Sequence, residues 1–304
     1  MRVGLGLPVS GTWATPETMR YVATRADELG FDSLWAFQRL LHPVDDDWGA
    51  AYHAVHDPIA ALSYVAAVTS RIRLGIAVVM APYYAPIVLA KALTTLDIVS
   101  TGRLDVGLGL GWSAQEFEAV GVSMEQRGPR AEEFVACLKA IWTQREVEFH
   151  GEFYDVPLSH VELKPVQSPY PPLLMGGGAE AALKRIGRIA DGWISSSRTD
   201  LTTIGQSVEL IKASALDAGR DADALRFVVR GVVRLTGTPT SGEARIPLQG
   251  NADQIRSDIE ALEVQGITEV FLDLNWDADT VGADVAPGAA RDNADRVLTE
   301  LAPR

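Results

Sequence analysis

One cysteine, five lysines and five histidines are all that this 304-residue sequence holds of the side chains that most often carry covalent or metal chemistry. The single Cys137 excludes a disulfide framework and a cysteine-only metal cluster. All the lysines except Lys164 fall on expected helices rather than strand ends, so Schiff-base chemistry is not indicated. Basic charge is also scarce. Lys and Arg number 27 against 40 Asp and Glu, a net charge of -13. Such a surface repels phosphate backbones and anionic lipid, so neither nucleic acid nor a membrane is an expected partner. No apolar run is long enough to cross a bilayer. No basic stretch leads into an apolar segment at the start, and the expected location is the cytoplasm.

What is present is alternation. A first strand over 1–7 is followed by a helix. That helix has Thr15 as N-cap, Pro16 at its first position, and Met19, Val22, Ala26 and Leu29 on one face. The unit recurs. Strands are expected at Ser33–Phe37, Ile72–Val79, Leu104–Leu108, Pro172–Gly176, Gly192–Ser196, Phe227–Leu235 and Glu269–Leu274, with helices between them. Several of these runs lack polar alternation, as parallel strands buried on both faces do. Eight β-α units in one chain point to a (β/α)8 TIM barrel. A doubly wound sheet would want a Gly-x-Gly-x-x-Gly turn after its first strand, and the chain instead reads Pro8-Val9-Ser10-Gly11. Two insertions interrupt the rhythm: a loop over 40–56 after strand two, and residues 143–171 after strand four. The second carries an alternating pattern around Gly151 that predicts a hairpin. Nothing divides the chain, so residues 1–304 read as one domain.

In such a barrel the chemistry sits at the C-terminal strand ends. Gly176-Gly177-Gly178 follows an apolar strand and opens a helix, so free backbone N–H groups and a positive dipole end face an anion. A tight turn alone would not need three glycines. Gly107 and Gly109 clear one strand face. They serve either a flat ligand or close packing inside the barrel. Ser195-Ser196-Ser197-Arg198 is either a second anion site or a solvated loop. Gln38, Arg39 and His42 after strand two, and Tyr83 after strand three, are the polar groups expected to meet a ligand. His53 and His56 stand beside Asp57. They lack an obvious third metal ligand, and Asp57 reads as a helix cap, so no metal is expected.

These residues together resemble the luciferase-like monooxygenase family. The resemblance is carried by Leu74–Val79 with Pro82, Ala90–Asp97, Ser100–Leu104, Gly107–Trp112 with Glu116–Val122, Phe149–Tyr154, Lys164–Gln167, Gly176–Gly178 and Ala190–Trp193. The insertion and the Gly–Trp segment look most like the branch dependent on the deazaflavin coenzyme F420. The resemblance implies a barrel that binds F420 or FMN at its mouth and moves hydride to or from a small organic substrate. It implies a cofactor-phosphate loop at Gly176–Gly178, a ring near Gly107 and Gly109, and a bulged third strand with a cis Ala77–Val78 bond supporting that ring. Ser195 joins the expected cofactor contacts. An FMN-dependent monooxygenase using reduced flavin and oxygen, and a non-catalytic flavin or deazaflavin carrier, are the alternatives. A homodimer, and a flavin or F420 reductase as electron source, are the protein partners this reading admits.

One departure stands out. Many relatives end strand two in an acidic residue and a histidine, where this chain has Gln38 and Arg39. Neither is a general acid near neutral pH. Arg39 is expected to stabilise negative charge at the mouth, with proton delivery left to Tyr83, His42 or water. The alternative is a surface pair with Asp45 or Asp46. On the first reading, removing Arg39 would impair turnover and leave stability nearly unchanged.

Overall fold

The apolar runs become strands, and the strands close on themselves. The computed structural model describes residues 1–240, 242 and 245–303. In chain order the first half comprises β1 (Arg2–Gly6), α1 (Pro16–Glu28), β2 (Ser33–Ala36), α2 (Pro58–Ala66), β3 (Arg73–Ile76), β4 (Val79–Met80), α3 (Pro86–Val99) and β5 (Leu104–Gly109). Then come α4 (Ala114–Val120), α5 (Arg127–Thr143), β6 (Glu146–His150), β7 (Asp155–His160), β8 (Leu173–Gly176), α6 (Glu180–Ile189), β9 (Gly192–Ile194) and α7 (Gly205–Asp217). The chain finishes with β10 (Arg226–Val232), β11 (Arg234–Leu235), β12 (Gln249–Gly250), α8 (Ala252–Val264), β13 (Glu269–Asp273), α9 (Ala278–Val281) and α10 (Pro287–Glu300).

The parallel order β3-β2-β1-β13-β10-β9-β8-β5 is closed by pairing of β3 with β5, through Leu74 opposite Leu104. This is a (β/α)8 TIM barrel. Its helices start where the sequence marks them. Thr15 Oγ1 accepts from Thr18 N at 3.1 Å, and Asp57 Oδ1 accepts from Ala60 N at 2.9 Å. The hairpin around Gly151 forms as β6 and β7, with Phe149 opposite Val156. The third strand, expected over Ile72–Val79, is broken by the bulge that the family resemblance implies. β3 stops at Ile76, the Ala77–Val78 peptide is cis, and β4 resumes alongside β5.

Alternation sets the layers. Leu34 and Ala36 face the helices, while Trp35 points into the barrel and stacks on Phe271 at 5.3 Å. Leu174, Ile194 and Val228 fill the space beside them. Glycine makes room for this plug: a Cβ at Gly75 would lie 2.2 Å from Trp35 Cε3. Below the plug, at the N-terminal end, the Asp105 carboxylate takes Arg73 at 2.7 Å and Arg226 at 2.6 Å, and Arg226 also reaches Glu269 at 2.9 Å. Above it the barrel opens.

Candidate active site at the barrel mouth

The C-terminal strand ends enclose a cavity of about 780 Å³. One part of it presents backbone N–H groups. β8 delivers Gly176, and Gly177 follows with φ 157°, a conformation that side chains rarely adopt. The indole of Trp193 donates to the Gly177 carbonyl at 2.8 Å and fixes the turn. α6 then starts without any side-chain cap, so its first amides remain free at the positive end of the helix dipole. A Cβ at Gly178 would meet nothing within 4 Å, which leaves the backbone open to the cavity. Ser195, Ser196 and Ser197 also line the cavity, as does Arg185, which is ion-paired to Glu132 at 3.0 Å. Ser195 Oγ accepts from Arg230 N at 3.0 Å, which leaves its own proton free to be donated.

An apolar stretch of the wall adjoins these glycines, since a Cβ at Gly176 would lie 3.4 Å from Val78 Cγ1. Ala77, Val78, Met80 and Gly109 form it. A Cβ at Gly109 would lie 2.5 Å from Val78 Cγ2, so the missing side chain lets the bulge lie against β5. Gly107 does not line the cavity. A Cβ there would lie 2.1 Å from Ile76 O and 2.5 Å from Ile194 Cδ1, so its role is close packing inside the barrel rather than ligand contact.

The far end is aromatic, with Phe37, Tyr52, Trp112 and Trp276 around two guanidinia. Gln38 spends its amide on the scaffold: Oε1 accepts from Met80 N at 2.9 Å, and Nε2 donates to Tyr84 Oη at 2.5 Å. Arg39 is only 6% exposed. Its partner is neither Asp45 nor Asp46 but the fully buried Glu116, at 2.9 Å. Three rings surround it, with Trp112 at 4.7 Å and Trp48 and Tyr52 each at 5.5 Å. Glu116 also accepts from Leu40 N at 2.7 Å and from Tyr83 Oη at 3.0 Å. Burial and the Glu116 charge push the Tyr83 phenol well above its ordinary range.

Tyr83 is therefore turned to Glu116 and does not line the cavity. His42 does not line it either. It stacks on His53 at 3.8 Å and accepts from Trp48 N at 3.4 Å. His56 lies within 2.8 Å of the Ala14 carbonyl oxygen, and Asp57 is a cap.

Glu116 and Tyr52 escape sequence reasoning, and Arg230 is legible only as part of the stretch 230–234 expected at the mouth. Glu116 follows the N-cap Ser113 by three residues and so reads as a capping-box acid. Its amide does bond Ser113 Oγ at 3.2 Å, but its carboxylate crosses to Arg39. Arg230 sits mid-strand in β10, 7% exposed, 3.7 Å from Asp273 and 4.3 Å above the Trp276 ring; it donates to the Ala77 carbonyl. Burial pushes Arg230 down and the Asp273 carboxyl up, each opposed by the other's charge. Only the apolar flanks of Arg230 hinted at burial. Tyr52 had no local signal, because the loop alone brings it to the mouth.

The sequence pattern of the luciferase-like monooxygenase family matches residues 2–272. An uncharacterised protein of Mycobacterium tuberculosis is 35% identical over 232 residues, 73% of this chain and 80% of that protein. An FMNH2-dependent dimethylsulfone monooxygenase of Pseudomonas putida is 33% identical over 178 residues, 58% of this chain and 47% of its own length. The coenzyme F420-dependent tetrahydromethanopterin reductase of Methanopyrus kandleri superposes with a TM-score of 0.76 over 99% of both chains, at 17% identity. That last likeness is one of fold.

Proposed function

The chain belongs to the luciferase-like monooxygenase family, and we propose that it is an oxidoreductase passing hydride between the deazaflavin coenzyme F420 and a small organic substrate. The observation that carries this reading is that uncapped helix amides, an apolar wall and an aromatic compartment line one cavity. A ligand with a phosphate and a planar ring matches those surfaces. The uncapped α6 amides and Ser195 would hold the phosphate. Val78, Met80 and Gly109 would support the ring, leaving its other face toward Tyr52 and Trp276.

The cavity wall suits chemistry that a cofactor brings with it. Among the described residues no carboxylate, imidazole, thiol or amine lines it. Bound there, the deazaflavin supplies a hydride donor or acceptor. The chain's own groups orient it, exclude water with their aromatic rings, and present two fixed guanidinia to developing negative charge.

A second reading is an FMN-dependent monooxygenase using reduced flavin, oxygen and a separate flavin reductase. The printed name of the Pseudomonas putida relative favours it. Side-by-side titration of the cofactor-free chain decides. Tighter binding of F420 is expected. Tighter binding of FMN moves the assignment to the second reading, and no binding of either overturns both.

A further inference from the structure

Arg39 has more donors than partners. A guanidinium is a fork of N–H donors and accepts nothing. Nη2 lies 2.9 Å from Glu116 Oε2. Nε and Nη1 are buried and have no hydrogen-bond partner among the described residues. The side chain itself is 2% exposed, and Arg39 lines the cavity. Buried donors are almost always paired, and a charged one left open is the costliest to bury.

The protein's own acids do not meet this demand. Glu116 is shared out: Oε1 accepts from Leu40 N at 2.7 Å, and Oε2 accepts from Tyr83 Oη at 3.0 Å besides facing Arg39. Asp273 stays 3.7 Å from Arg230, beyond hydrogen-bond reach. The charge on the cavity wall is of one sign. Arg39, Arg127, Arg185 and Arg230 line it, and among the described residues no Asp or Glu does. In a chain with 27 basic and 40 acidic residues, that lining runs against the whole molecule and favours an anionic ligand. The other three arginines donate to the protein: Arg127 to the Gly111 carbonyl at 2.6 Å, Arg185 to Glu132 at 3.0 Å and Arg230 to the Ala77 carbonyl.

What covers Arg39 is aromatic. Trp112 at 4.7 Å and Tyr52 at 5.5 Å share the cavity wall with it. Trp112 is 47% exposed on the loop between β5 and α4, so its ring has room to turn outward and admit an oxygen to the guanidinium. Phe37 and Trp276 supply apolar wall for the rest of a ligand.

We propose that the substrate is an apolar organic acid, and that its carboxylate accepts from the unpartnered N–H groups of Arg39. The proposal rests on reading the cavity as a cofactor-and-substrate site. It makes Arg39 a specificity-determining residue that serves two carboxylates, the protein's own through Nη2 and the ligand's through Nε and Nη1.

Isothermal titration of the full chain with benzoate and with benzamide, two probes of one shape and different charge, tests it. Benzoate is expected to bind at least about tenfold more tightly, the worth of a charge-assisted hydrogen bond. Arg39→Met combined with Glu116→Leu removes the guanidinium without leaving a buried carboxylate unpaired. This double variant should lose at least about tenfold in benzoate affinity and no more than about threefold in benzamide affinity. Its affinity for F420 or FMN should stay at the wild-type value. Should it fail to fold, Arg39→Lys takes its place. That variant keeps a cation beside Glu116 without the planar fork, and should weaken benzoate at least about fivefold. Benzamide binding as tightly as benzoate overturns the proposal, and so does an absence of saturable benzoate binding. Unchanged benzoate affinity in the folded variant also overturns it, because the acid then sits on the glycine turn instead. Failure of both cofactors to bind the wild-type chain would instead sink the oxidoreductase reading. The benzoate titration of the cofactor-free chain would still give its own answer.

Discussion

Arg39 changes meaning once its partner is known. A mouth cation facing solvent could be removed with little effect on stability. A guanidinium 2.9 Å from a fully buried carboxylate cannot. Arg39→Ala leaves Glu116 with only Leu40 N and Tyr83 Oη for company, in a place water does not reach. Breaking a buried pair from one side costs about 3–5 kcal/mol. Urea unfolding should therefore show Arg39→Ala to be destabilised by about that much, against the expectation of nearly unchanged stability. The double variant Arg39→Met with Glu116→Leu replaces the pair by apolar groups. It should recover more than half of the loss. If Arg39→Ala unfolds at the wild-type urea concentration, Glu116 does not depend on it, and the guanidinium is free to serve a ligand.

The same logic separates two neighbouring glycines in the turn from β8 to α6. A Cβ at Gly178 meets open space, so Gly178→Val should fold normally and obstruct the cradle. We expect at least about tenfold weaker binding of F420 or FMN with an unchanged melting temperature, because the valine displaces an anion from backbone N–H groups it cannot replace. Gly177 is different. Its φ of 157° and the Ala182 Cβ at 2.8 Å mean that Gly177→Val must shift the turn itself and lower the melting temperature as well. Equal cofactor affinity in wild type and Gly178→Val would remove the phosphate assignment from this turn. The turn was legible in the sequence because local chemistry dictates it: an apolar strand, three glycines, a helix. The same holds for the eight strands and for the caps at Thr15 and Asp57. The break in the third strand was legible only through the family resemblance, which implies the bulge at Ala77–Val78. Its run from Leu74 to Val79 is apolar throughout, with no local residue to mark the break. The bulge is held by Gln38, bonded to Met80 N, and by Arg230, bonded to Ala77 O across 153 positions. The positions of Tyr52 and Glu116, and the partners of Arg230, were hidden from local pattern. Each owes its role to a partner remote in sequence, and pattern reading sees only neighbours.

Across the whole molecule the barrel separates an open mouth from an ion-paired floor. The Trp35–Phe271 stack separates them. Asp105 and Gly109 stand near opposite ends of β5, about 13 Å apart at an ordinary strand rise. The mouth keeps its cations against aromatic rings; the floor ties Asp105 and Glu269 to Arg73 and Arg226. Burial alone would raise the Asp105 carboxyl, but the Arg226 and Arg73 guanidinia override it and hold the group below its usual range. A carboxyl depressed in the native state adds stability above its unfolded value, near pH 4, and loses it as the pH falls through the native value. Asp105→Asn strips the charge and leaves Arg226 and Arg73 facing an amide. At pH 7 the variant should be less stable than wild type by about 3–5 kcal/mol. The gap should narrow as the pH drops below about 4, since only the wild type has a proton to gain at that site. Cofactor affinity should not move, because the plug and most of β5 lie between the floor and the mouth. Urea unfolding of both proteins from pH 7 down to pH 3 measures the gap directly. A difference that stays constant across that range would mean that the Asp105 charge does not hold the floor together.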